Sequence, residues 1–584
     1  MNIIVCIKPV TKSNENTKRV INDNDRYAIE EALKIKDKNK SKIITLAMGP
    51  ISSRKVLERT MRLGIDQSIL LSDNIYSGSD TNATSYILSK AINKIKDYAL
   101  IICGNVSSDS ATGQIGPSLA AKLDIPFVSN VIKIEKITDK EIICESITDT
   151  GIIKISLILP ALISVAKNIN IPRLATVDGI INSKQVEIWD NSHLDCDVGK
   201  CGVKGSPTKV IKLTNLKKQN KECIYIKGTP KEQVKELLKI IKEDLICNIN
   251  KTDTFQINKD KIDNEIFVYC EAYNDNVKDI SLQILSKARD LSINSKVSAV
   301  IFSKDNKILN SLSIHGADKI YAFDEDNNYY NQVINIINLI NEKNPTIVLF
   351  GKTFYGKLIS AFIASKLKTG LTADCINLSI NKDKILIQQR IVYEGTKLAN
   401  IICENKRPQM ATITKDLFLK RINIDNKAEI IFLRDKKYND KIKILDMENS
   451  EYSVSNNNII IVGGAGLKTK ENFDKLKLIA KRINCNYGGT RKTVDLNFIE
   501  SKYQIGQTGK STSSNTYIGF GVSGASEHIL GLKCERIIAI NNDPKAPIFK
   551  KADYGIIGDV NLIIPIILKE LEEKEWISIK KQKE

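Results

Sequence analysis

The sequence lacks several features that mark common protein classes. Its 584 residues include only three histidines and twelve cysteines, and no two cysteines form a C-x-x-C pair. Metal clusters and disulfide frameworks are therefore poorly supported, and scattered single cysteines are typical of a reducing cytoplasm. No stretch approaches the roughly 18 apolar residues that a membrane span needs. The amino-terminal run MNIIVCIKPV is broken by Lys8 and does not resemble a signal peptide. We expect a cytoplasmic protein without a metal site or a membrane span.

The formal net charge of +19 does not by itself indicate a nucleic-acid surface. The lysines are spread along the whole chain among Asn, Ile and Glu, and no basic tract is interleaved with aromatic residues. Nucleic-acid binding is not expected. A positive field could instead steer an acidic partner protein.

Short apolar runs alternate with amphipathic stretches in the first hundred residues. Ile3 to Ile7, Ile43 to Met48 and Leu100 to Cys103 are predicted strands, and Tyr27 to Lys36 and Thr81 to Ile95 have helical apolar spacing. This alternation predicts a parallel sheet with helices on both faces. A chain of this length is expected to form three or four domains.

The pattern recurs further along the chain. Arg62-Leu63-Gly64-Ile65-Asp66 is echoed by Ile314-His315-Gly316-Ala317-Asp318, and Pro160-Ala161-Leu162-Ile163 by Pro408-Gln409-Met410-Ala411. A repeat with a nearly constant offset predicts two similar Rossmann-like domains, followed by a third domain.

Glycine-rich runs are concentrated near the carboxyl end. Gly509-Lys510-Ser511 resembles the end of a P-loop, but Gln504 stands where that motif requires glycine, so ATP hydrolysis loses its main support. Gly519-x-Gly521-x-x-Gly524 fits the dinucleotide fingerprint, and Thr516 to Phe520 could be the preceding strand. Glycines permit close approach of the backbone to a ligand, and helix starts attract phosphate, so a phosphate-bearing cofactor is expected.

Six ordered blocks in this region carry a more specific resemblance. QIGQTGK, GVSGASEH, AINNDPKAPIF, ADYGIIGD, GGAGLKTKENF and GGTRKTVD resemble the FAD-binding domain of the alpha subunit of electron transfer flavoproteins, over roughly 458–571. The earlier residues resemble the rest of that family: MNIIVCIKPV, LGIDQSILL and NINIPRLATVD are similar to the beta subunit, and HGADKIY, TGLTADC and RPQMATI to the alpha subunit. The resemblance implies both subunits fused in one chain, beta-like half first, closest to clostridial types that serve acyl-CoA dehydrogenases.

The implied fold class is α/β. Two related Rossmann-like parallel-sheet domains, of the adenine nucleotide alpha hydrolase-like type, precede a carboxyl-terminal α/β FAD-binding domain. The implied domains are a beta-like nucleotide-binding domain at 1–204, a beta arm and linker at 205–263, an alpha-like Rossmann-like domain at 264–447 and the FAD-binding domain at 448–584. A tether of this kind raises the effective concentration of the two halves.

The resemblance also implies the FAD contacts. His528 faces the O2 edge of the flavin ring as a donor, Arg491 places a positive charge beside the ring, and Thr508 donates to flavin N5. The full set of cofactor residues is Gly464, Ala465, Gly466, Thr490, Arg491, Ile505, Gly506, Gln507, Thr508, Ser523, Gly524, Ala525, Ser526, Glu527, His528, Asn541, Asp559 and Val560. No catalytic acid, base or nucleophile is implied, so we expect an electron carrier rather than a classical enzyme, and NADH-oxidising bifurcating activity stays open at this point.

Two residues depart from the family pattern. Ala465 stands where arginine is usual, which removes one cation from the phosphate region unless a lysine compensates. Glu527 replaces a usual glutamine and adds negative charge next to His528.

The beta-like half is expected to hold a second nucleotide, either AMP or a second FAD, with FAD favoured. The matching positions are Cys6, Asn22, Asp23, Asn24, Asp25, Met48, Asp109, Thr112, Gly113, Gln114 and Ile115. The runs 77–84 and 202–210 resemble electron-bifurcating members, which use NADH and ferredoxin. Asn105 in place of arginine and Ala111 in place of aspartate argue against that type.

The expected function is therefore electron transfer between an acyl-CoA dehydrogenase-type flavoenzyme and a redox donor or acceptor. Ile169, in the run 168–173 that resembles the family's recognition loop, is the expected apolar anchor for the partner. Two alternatives remain open at this point: an NAD-dependent dehydrogenase that uses Gly519 to Gly524, and a redox-inactive nucleotide-binding protein.

Overall fold

A computed structural model describes residues 2–11, 19–39, 41–167, 169–175, 177–181, 185–215, 222–247, 254–255, 262–292, 295–326, 328–392, 397–415, 417–434, 441–449, 459–500, 503–506, 514, 516–529, 532, 534 and 536–573. The chain forms two compact units. The first combines 1–216 with 253–451, and the second combines 217–252 with 452–584.

The secondary structure of the described residues alternates between strands and helices along most of the chain. The strands are β1 (Asn2–Cys6), β2 (Pro9–Thr11), β3 (Arg19–Ile21), β4 (Lys42–Met48), β5 (Gln67–Leu71), β6 (Tyr98–Gly104), β7 (Phe127–Ile137), β8 (Glu141–Ile147), β9 (Gly151–Ile158), β10 (Ala161–Val165), β11 (Glu187–Trp189), β12 (Lys209–Asn215), β13 (Ile224–Tyr225), β14 (Ile262–Tyr269), β15 (Ala272–Tyr273), β16 (Asn276–Val277), β17 (Ser295–Ile301), β18 (Lys319–Ala322), β19 (Ile347–Gly351), β20 (Leu371–Ile380), β21 (Leu386–Val392), β22 (Lys397–Ile402), β23 (Gln409–Ile413), β24 (Glu429–Phe432), β25 (Ile442–Asn449), β26 (Ile459–Gly463), β27 (Asn486–Gly489), β28 (Thr516–Phe520), β29 (Arg536–Asn541) and β30 (Tyr554–Ile557). The helices are α1 (Asp23–Asn39), α2 (Arg54–Met61), α3 (Thr81–Ile95), α4 (Ile115–Leu123), α5 (Val177–Ile181), α6 (Asn191–Leu194), α7 (Gly202–Gly205), α8 (Pro230–Cys247), α9 (Asp279–Leu291), α10 (Asn306–Ile314), α11 (Tyr329–Lys343), α12 (Phe354–Leu367), α13 (Lys470–Arg482), α14 (Arg491–Asp495), α15 (Ser526–Ile529) and α16 (Val560–Glu573).

The first unit contains two sheets of ten strands with the same topology. One runs β11-β5-β4-β1-β6-β10-β7-β8-β9-β25, and the other runs β24-β18-β17-β14-β19-β23-β20-β21-β22-β12. In both, a parallel core continues into antiparallel strands at one end. This confirms the two related Rossmann-like domains that the repeat predicts.

The repeated turn shows why the two halves fold alike. Gly64 and Gly316 both adopt positive φ, at 101° and 114°, where side chains are disfavoured. Two residues later, Asp66 and Asp318 each accept a backbone N–H from the neighbouring strand, at 2.8 and 2.9 Å. The predicted strands lie in the parallel core, where both faces are covered and side chains such as those of Ile3, Ile4 and Val5 are fully buried.

The two sheets exchange one strand each. β12, which follows the beta-like half in sequence, pairs antiparallel with β22 of the second sheet. β25, which follows the alpha-like half, pairs antiparallel with β9 of the first sheet. Each half therefore completes the sheet of the other.

Helices α4 and α12 join the halves through small side chains. Ser365 Oγ donates to the carbonyl of Ser118 at 2.9 Å, and Ser118 Oγ donates to the carbonyl of Ala361 at 3.4 Å. Ala361 is fully buried. Larger residues are not expected to fit at this contact, because buried side chains in protein interiors are close-packed.

The second unit is built on one parallel sheet of order β13-β30-β29-β28-β26-β27. β28 spans the predicted strand from Thr516 to Phe520. Because β27 and β28 lie on opposite sides of β26, the chain direction across the sheet reverses between β26 and β28. Such a reversal opens a crevice at the carboxyl ends of the strands, where open α/β sheets bind ligands.

Among the residues that the structure describes, no helix is long and apolar enough to cross a bilayer. Within the same residues, no group of three or more His, Cys, Asp or Glu side chains is arranged to hold a metal ion.

Candidate nucleotide-binding sites

The predicted FAD residues of the second unit lie at the carboxyl edge of its sheet. Gly464, Ala465 and Gly466 follow β26, Thr490 and Arg491 follow β27, Ser523 to Ala525 follow β28, Asn541 ends β29, and Asp559 and Val560 follow β30. The crevice at the reversal point is thus lined by the two glycine-rich loops after β26 and β28. Gln507 and Thr508 lie outside the described residues, as do the side chains of Ser526 and Glu527.

The glycines of these loops are required by contacts within the protein. A Cβ atom on Gly464 would lie 2.2 Å from the carbonyl oxygen of Gly521, and one on Gly466 would lie 2.8 Å from the Cα of Gly521. Gly521 and Gly524 have positive φ, at 63° and 86°. Gly519 lies inside β28, where its missing side chain leaves space for the ring of Tyr517. The spacing G-x-G-x-x-G therefore has a packing reason at every glycine, which removes the specific support for a nicotinamide site.

Polar groups in the crevice hold the loops and leave donors exposed. Asn541, which is buried, donates to the carbonyl of Val522 at 2.8 Å. Asp559 accepts the backbone N–H of Asn561 at 2.9 Å, and this hydrogen bond keeps the pKa of Asp559 below its usual value. Ser523 and Ala525 are exposed. A backbone-lined crevice with an exposed hydroxyl and a carboxylate suits the phosphates and the ribose of a dinucleotide.

Two cations lie at this edge. Arg491 is exposed and lies 3.8 Å from Asp495. Lys468, three residues after Ala465, lies 3.5 Å from Asp559. No local motif marks Lys468, but its position makes it the candidate compensator for the arginine missing at Ala465.

His528 is buried and lies in α15, just after the loop that follows β28. Its Nε2 lies 2.8 Å from Tyr517 Oη, and its Nδ1 lies 3.0 Å from the carbonyl oxygen of Ile505. Burial lowers the pKa of His528 below its usual value. Ile505 in turn donates its N–H to Gly489, so His528 is tied to the segment that leads into Gly506.

The second predicted site lies at the carboxyl edge of the first sheet. Cys6 ends β1, Met48 ends β4, and Asp109 to Gln114 form the loop between β6 and α4. Gln114 is buried, accepts from Thr81 at 2.7 Å and donates to the carbonyl of Leu371 in the alpha-like half at 3.2 Å. Its side chain does not cap α4. Thr112, Gly113 and Ile115 are partly exposed around it.

Several predicted residues of this site form hydrogen bonds within the protein. Asp25 is buried and accepts the backbone N–H of Lys8 at 2.7 Å and the amide of Asn22 at 3.0 Å. Burial raises the pKa of Asp25 to about 7 and that of the Cys6 thiol to about 12. Asn24 donates to the carbonyl of Val106 at 2.7 Å.

Asp23 and Asp109 differ in their surroundings. Asp23 is exposed at the start of α1, and its carboxylate lies 3.9 Å from Arg26. Asp109 forms an ion pair with Lys8 at 2.7 Å. Lys8 thereby ties β1 to the loop before α4.

Sequence reasoning missed Arg390, which extends from the alpha-like half to this loop. Its Nη2 donates to the carbonyl of Ser110 at 2.7 Å, and the residue is only 5% exposed. Among the described residues, its buried Nε has no hydrogen-bond partner. Burial lowers the pKa of Arg390. No local signal could have identified it, because it lies 280 residues from Ser110.

Fold and sites together define a nucleotide-binding α/β protein with its candidate sites at the carboxyl edges of parallel sheets. Family comparison is more specific. The electron transfer flavoprotein domain matches residues 10–193 and again 266–434, and the electron transfer flavoprotein FAD-binding domain matches 453–533. The chain belongs to the electron transfer flavoprotein family, with beta-like and alpha-like parts in one polypeptide, and it is an FAD-binding electron carrier.

Individual relatives match the beta-like and the alpha-like parts of the chain separately. Electron transfer flavoprotein subunit alpha of Thermoanaerobacterium thermosaccharolyticum is 35% identical over 323 residues, which cover 53% of this chain and 98% of the relative. Subunit beta of the same organism is 36% identical over 254 residues, which cover 41% of this chain and 96% of the relative. The lactate dehydrogenase (NAD(+),ferredoxin) subunit LctC of Acetobacterium woodii is 28% identical over 323 residues, 53% of this chain and 77% of that protein.

Proposed function

We propose that the chain carries electrons between an acyl-CoA dehydrogenase-type flavoenzyme and a second redox partner, with one FAD in the second unit and a second FAD in the beta-like half. The proposed domain boundaries are those of the sequence: 1–204, 205–263, 264–447 and 448–584. FAD supplies one-electron chemistry when it is bound, and the chain holds and tunes it. The cysteines favour a cytoplasmic location.

The observation that supports the first FAD is the crevice between the loops after β26 and β28. Its glycines bring two backbones together, and Ser523, Asn541 and Asp559 lie at the adjacent strand ends. The proposed roles of Arg491, Thr508 and the other cofactor residues follow from the family pattern. Both ring nitrogens of His528 already have partners within the protein, so its proposed donor role toward the flavin requires one of these hydrogen bonds to be replaced.

The observation that favours FAD over AMP in the beta-like half is the buried guanidinium of Arg390. The Asp374 carboxylate interacts electrostatically with Arg390, but the buried Nε–H has no hydrogen-bond acceptor among the described residues. Such a buried donor is costly unless an acceptor is supplied. AMP offers one phosphate, whereas a dinucleotide offers additional phosphate and ring acceptors that could reach Arg390. A second FAD would permit bifurcation with NADH and ferredoxin, and the LctC name supports that comparison.

Counting released nucleotides tests this part of the proposal. The purified chain should be yellow and should release two FAD per polypeptide on denaturation. The Arg390→Gln variant should lose the second FAD and keep the first. Arg421→Gln is the matched control, because Arg421 lies in the same half and pairs with Asp290 at the surface. One FAD with one AMP would reject the second flavin, and a preparation that stays colourless with added flavin would reject the carrier function.

The proposed partner surface is the loop 169–175. Ile169, the predicted anchor, is only partly exposed and packs against the core, whereas Ile171 is 91% and Leu174 is 87% exposed. We therefore propose that Ile171 and Leu174 enter an apolar pocket of the dehydrogenase and that Ile169 supports them from below. Large exposed apolar side chains on a fixed loop suit a small, transient interface.

Aspartate substitutions test the loop. Ile171→Asp and Ile169→Asp should abolish electron transfer to the dehydrogenase while FAD content is unchanged. Ile51→Asp is the control, because Ile51 is 59% exposed elsewhere in the same half. Full transfer by both loop variants would refute the docking role, and loss in Ile169→Asp alone would restore Ile169 as the anchor.

A further inference from the structure

The imidazole of His528 is held between two hydrogen-bond partners from separate segments. Tyr517 Oη on β28 lies 2.8 Å from Nε2, and the carbonyl oxygen of Ile505 lies 3.0 Å from Nδ1. The ring is 7% exposed, and Tyr517 is fully buried. Both ring nitrogens therefore have partners inside the protein.

The hydrogen-bonding chemistry of the two partners determines which ring nitrogen of His528 carries the proton. A carbonyl oxygen can only accept, so Nδ1 must carry hydrogen. Burial disfavours the charged imidazolium, which leaves Nε2 as a lone pair that accepts from the phenol. Burial also raises the pKa of Tyr517 well above its usual value, so the phenol remains a donor.

Gly519 provides the space for this arrangement. A Cβ atom at Gly519 would lie 2.9 Å from Cε1 and 3.0 Å from Oη of Tyr517, so the Tyr517 ring would have to shift to admit it. The Cys534 thiol lies near Tyr517, where the negative charge of its thiolate form would further disfavour loss of the phenol proton. Glu527 precedes His528 in the chain.

We propose that Tyr517 is a positioning residue that holds His528 as the neutral Nδ1–H tautomer. The inference rests on the proposed FAD site of the second unit. In this state the ring has no free N–H, so His528 gains a donor at Nε2 only by taking up a proton and giving up the hydrogen that Tyr517 donates. Tyr517 would thus set how readily His528 takes up a proton and becomes a cation near the cofactor.

Nitrogen NMR of the full chain labelled with ¹⁵N-histidine tests the tautomer. Only three histidines are present, so His528→Gln assigns the signal. We expect a protonated Nδ1 and an unprotonated Nε2 in wild type, both without flavin and loaded with FAD. In Tyr517→Phe, Nε2 loses its donor, and the midpoint of the His528 titration should rise by about 1 pH unit.

Two further variants separate a positioning role from general damage. Gly519→Ala crowds the Tyr517 ring and should move the same signals in the same direction. Tyr554→Phe, on the neighbouring part of the sheet, should leave them unchanged. A protonated Nε2 in neutral wild type, or an unchanged titration in Tyr517→Phe, would overturn the proposal. FAD retention is measured separately, so a protein with the expected tautomer and no FAD affinity would contradict the cofactor site and not the hydrogen bonding.

Discussion

Removal of the carboxylate of Glu30 should loosen the loop 169–175. Arg173 contacts Glu30 through Nε at 2.9 Å and Nη2 at 3.0 Å, and its backbone N–H donates to the same carboxylate at 2.9 Å. The side chains are 7% exposed for Glu30 and 34% for Arg173. Exposed ion pairs contribute up to about 1 kcal/mol, whereas breaking a buried one costs about 3–5 kcal/mol. This half-buried, bidentate pair should lie between them, at about 2 kcal/mol for Glu30→Gln.

A loss of that size corresponds to about 30-fold more frequent opening of the loop. Hydrogen exchange of the amides of residues 169–175 should accelerate by about that factor, and electron transfer at low partner concentration should fall. Glu58→Gln is the control, because the Arg54–Glu58 pair is an exposed ion pair at 3.0 Å, with both side chains more than a third exposed. The reasoning is refuted if exchange in the loop is unchanged in Glu30→Gln, or if Glu58→Gln has the same effect.

Three other substitutions test separate parts of the structure. Burial raises the pKa of Asp25 to about 7, so the stability that its protonated form contributes is complete below about pH 4 and is lost as the pH rises through 7. The urea midpoint of wild type should therefore fall relative to that of Asp25→Asn between pH 4 and pH 7. Parallel curves of urea midpoint against pH for the two proteins would contradict the raised pKa. Ala361→Leu adds three carbons to the fully buried contact between α4 and α12 and should destabilise the first unit by about 1–3 kcal/mol, whereas Ala361→Ser should be tolerated. Equal urea midpoints for wild type and Ala361→Leu would show that the contact has room for the larger side chain. Ala465→Arg restores a phosphate cation and should slow FAD loss on gel filtration by about tenfold or more, since a charge-assisted hydrogen bond contributes about 1.5–3 kcal/mol. Unchanged retention would contradict the view that the phosphate region lacks a cation.

The repeated domains could be predicted because their signals are local. The same turn forms twice, once at Gly64 and Asp66 and once at Gly316 and Asp318, because each glycine adopts positive φ and each carboxylate accepts a backbone N–H. Both pairs can be recognised in the sequence. The parallel strands could also be predicted, since burial on both faces of a sheet requires continuous apolar runs. The glycine loops of the second unit identified the cofactor region for a related reason.

Contacts between distant segments could not be predicted. The exchange of β12 and β25 depends on which sheet edge is free, and their sequences do not record that. Arg390 is an ordinary arginine until the fold brings it to Ser110. Gly519 was assigned to a cofactor motif, although its neighbour in space is Tyr517.

The alpha-like half shows why equal topology need not give equal sites. Its counterpart of α4 is α12, and the first backbone N–H of α12, on Phe354, donates to the Asp149 carboxylate from the beta-like half at 2.6 Å. Glu271 lies beside it, bonded to Thr353 and paired with Lys278 at 2.8 Å.

A helix start that already holds a carboxylate, with a second carboxylate next to it, repels phosphate. In the beta-like half no side chain caps α4, and the cations Lys8 and Arg390 contact the preceding loop. The start of α12 is therefore occupied by a carboxylate, whereas the start of α4 is uncapped and two cations contact the loop before it. We expect the second nucleotide in the beta-like half alone. The start of α12, the equivalent position in the alpha-like half, is already occupied by the Asp149 carboxylate, which the beta-like half supplies.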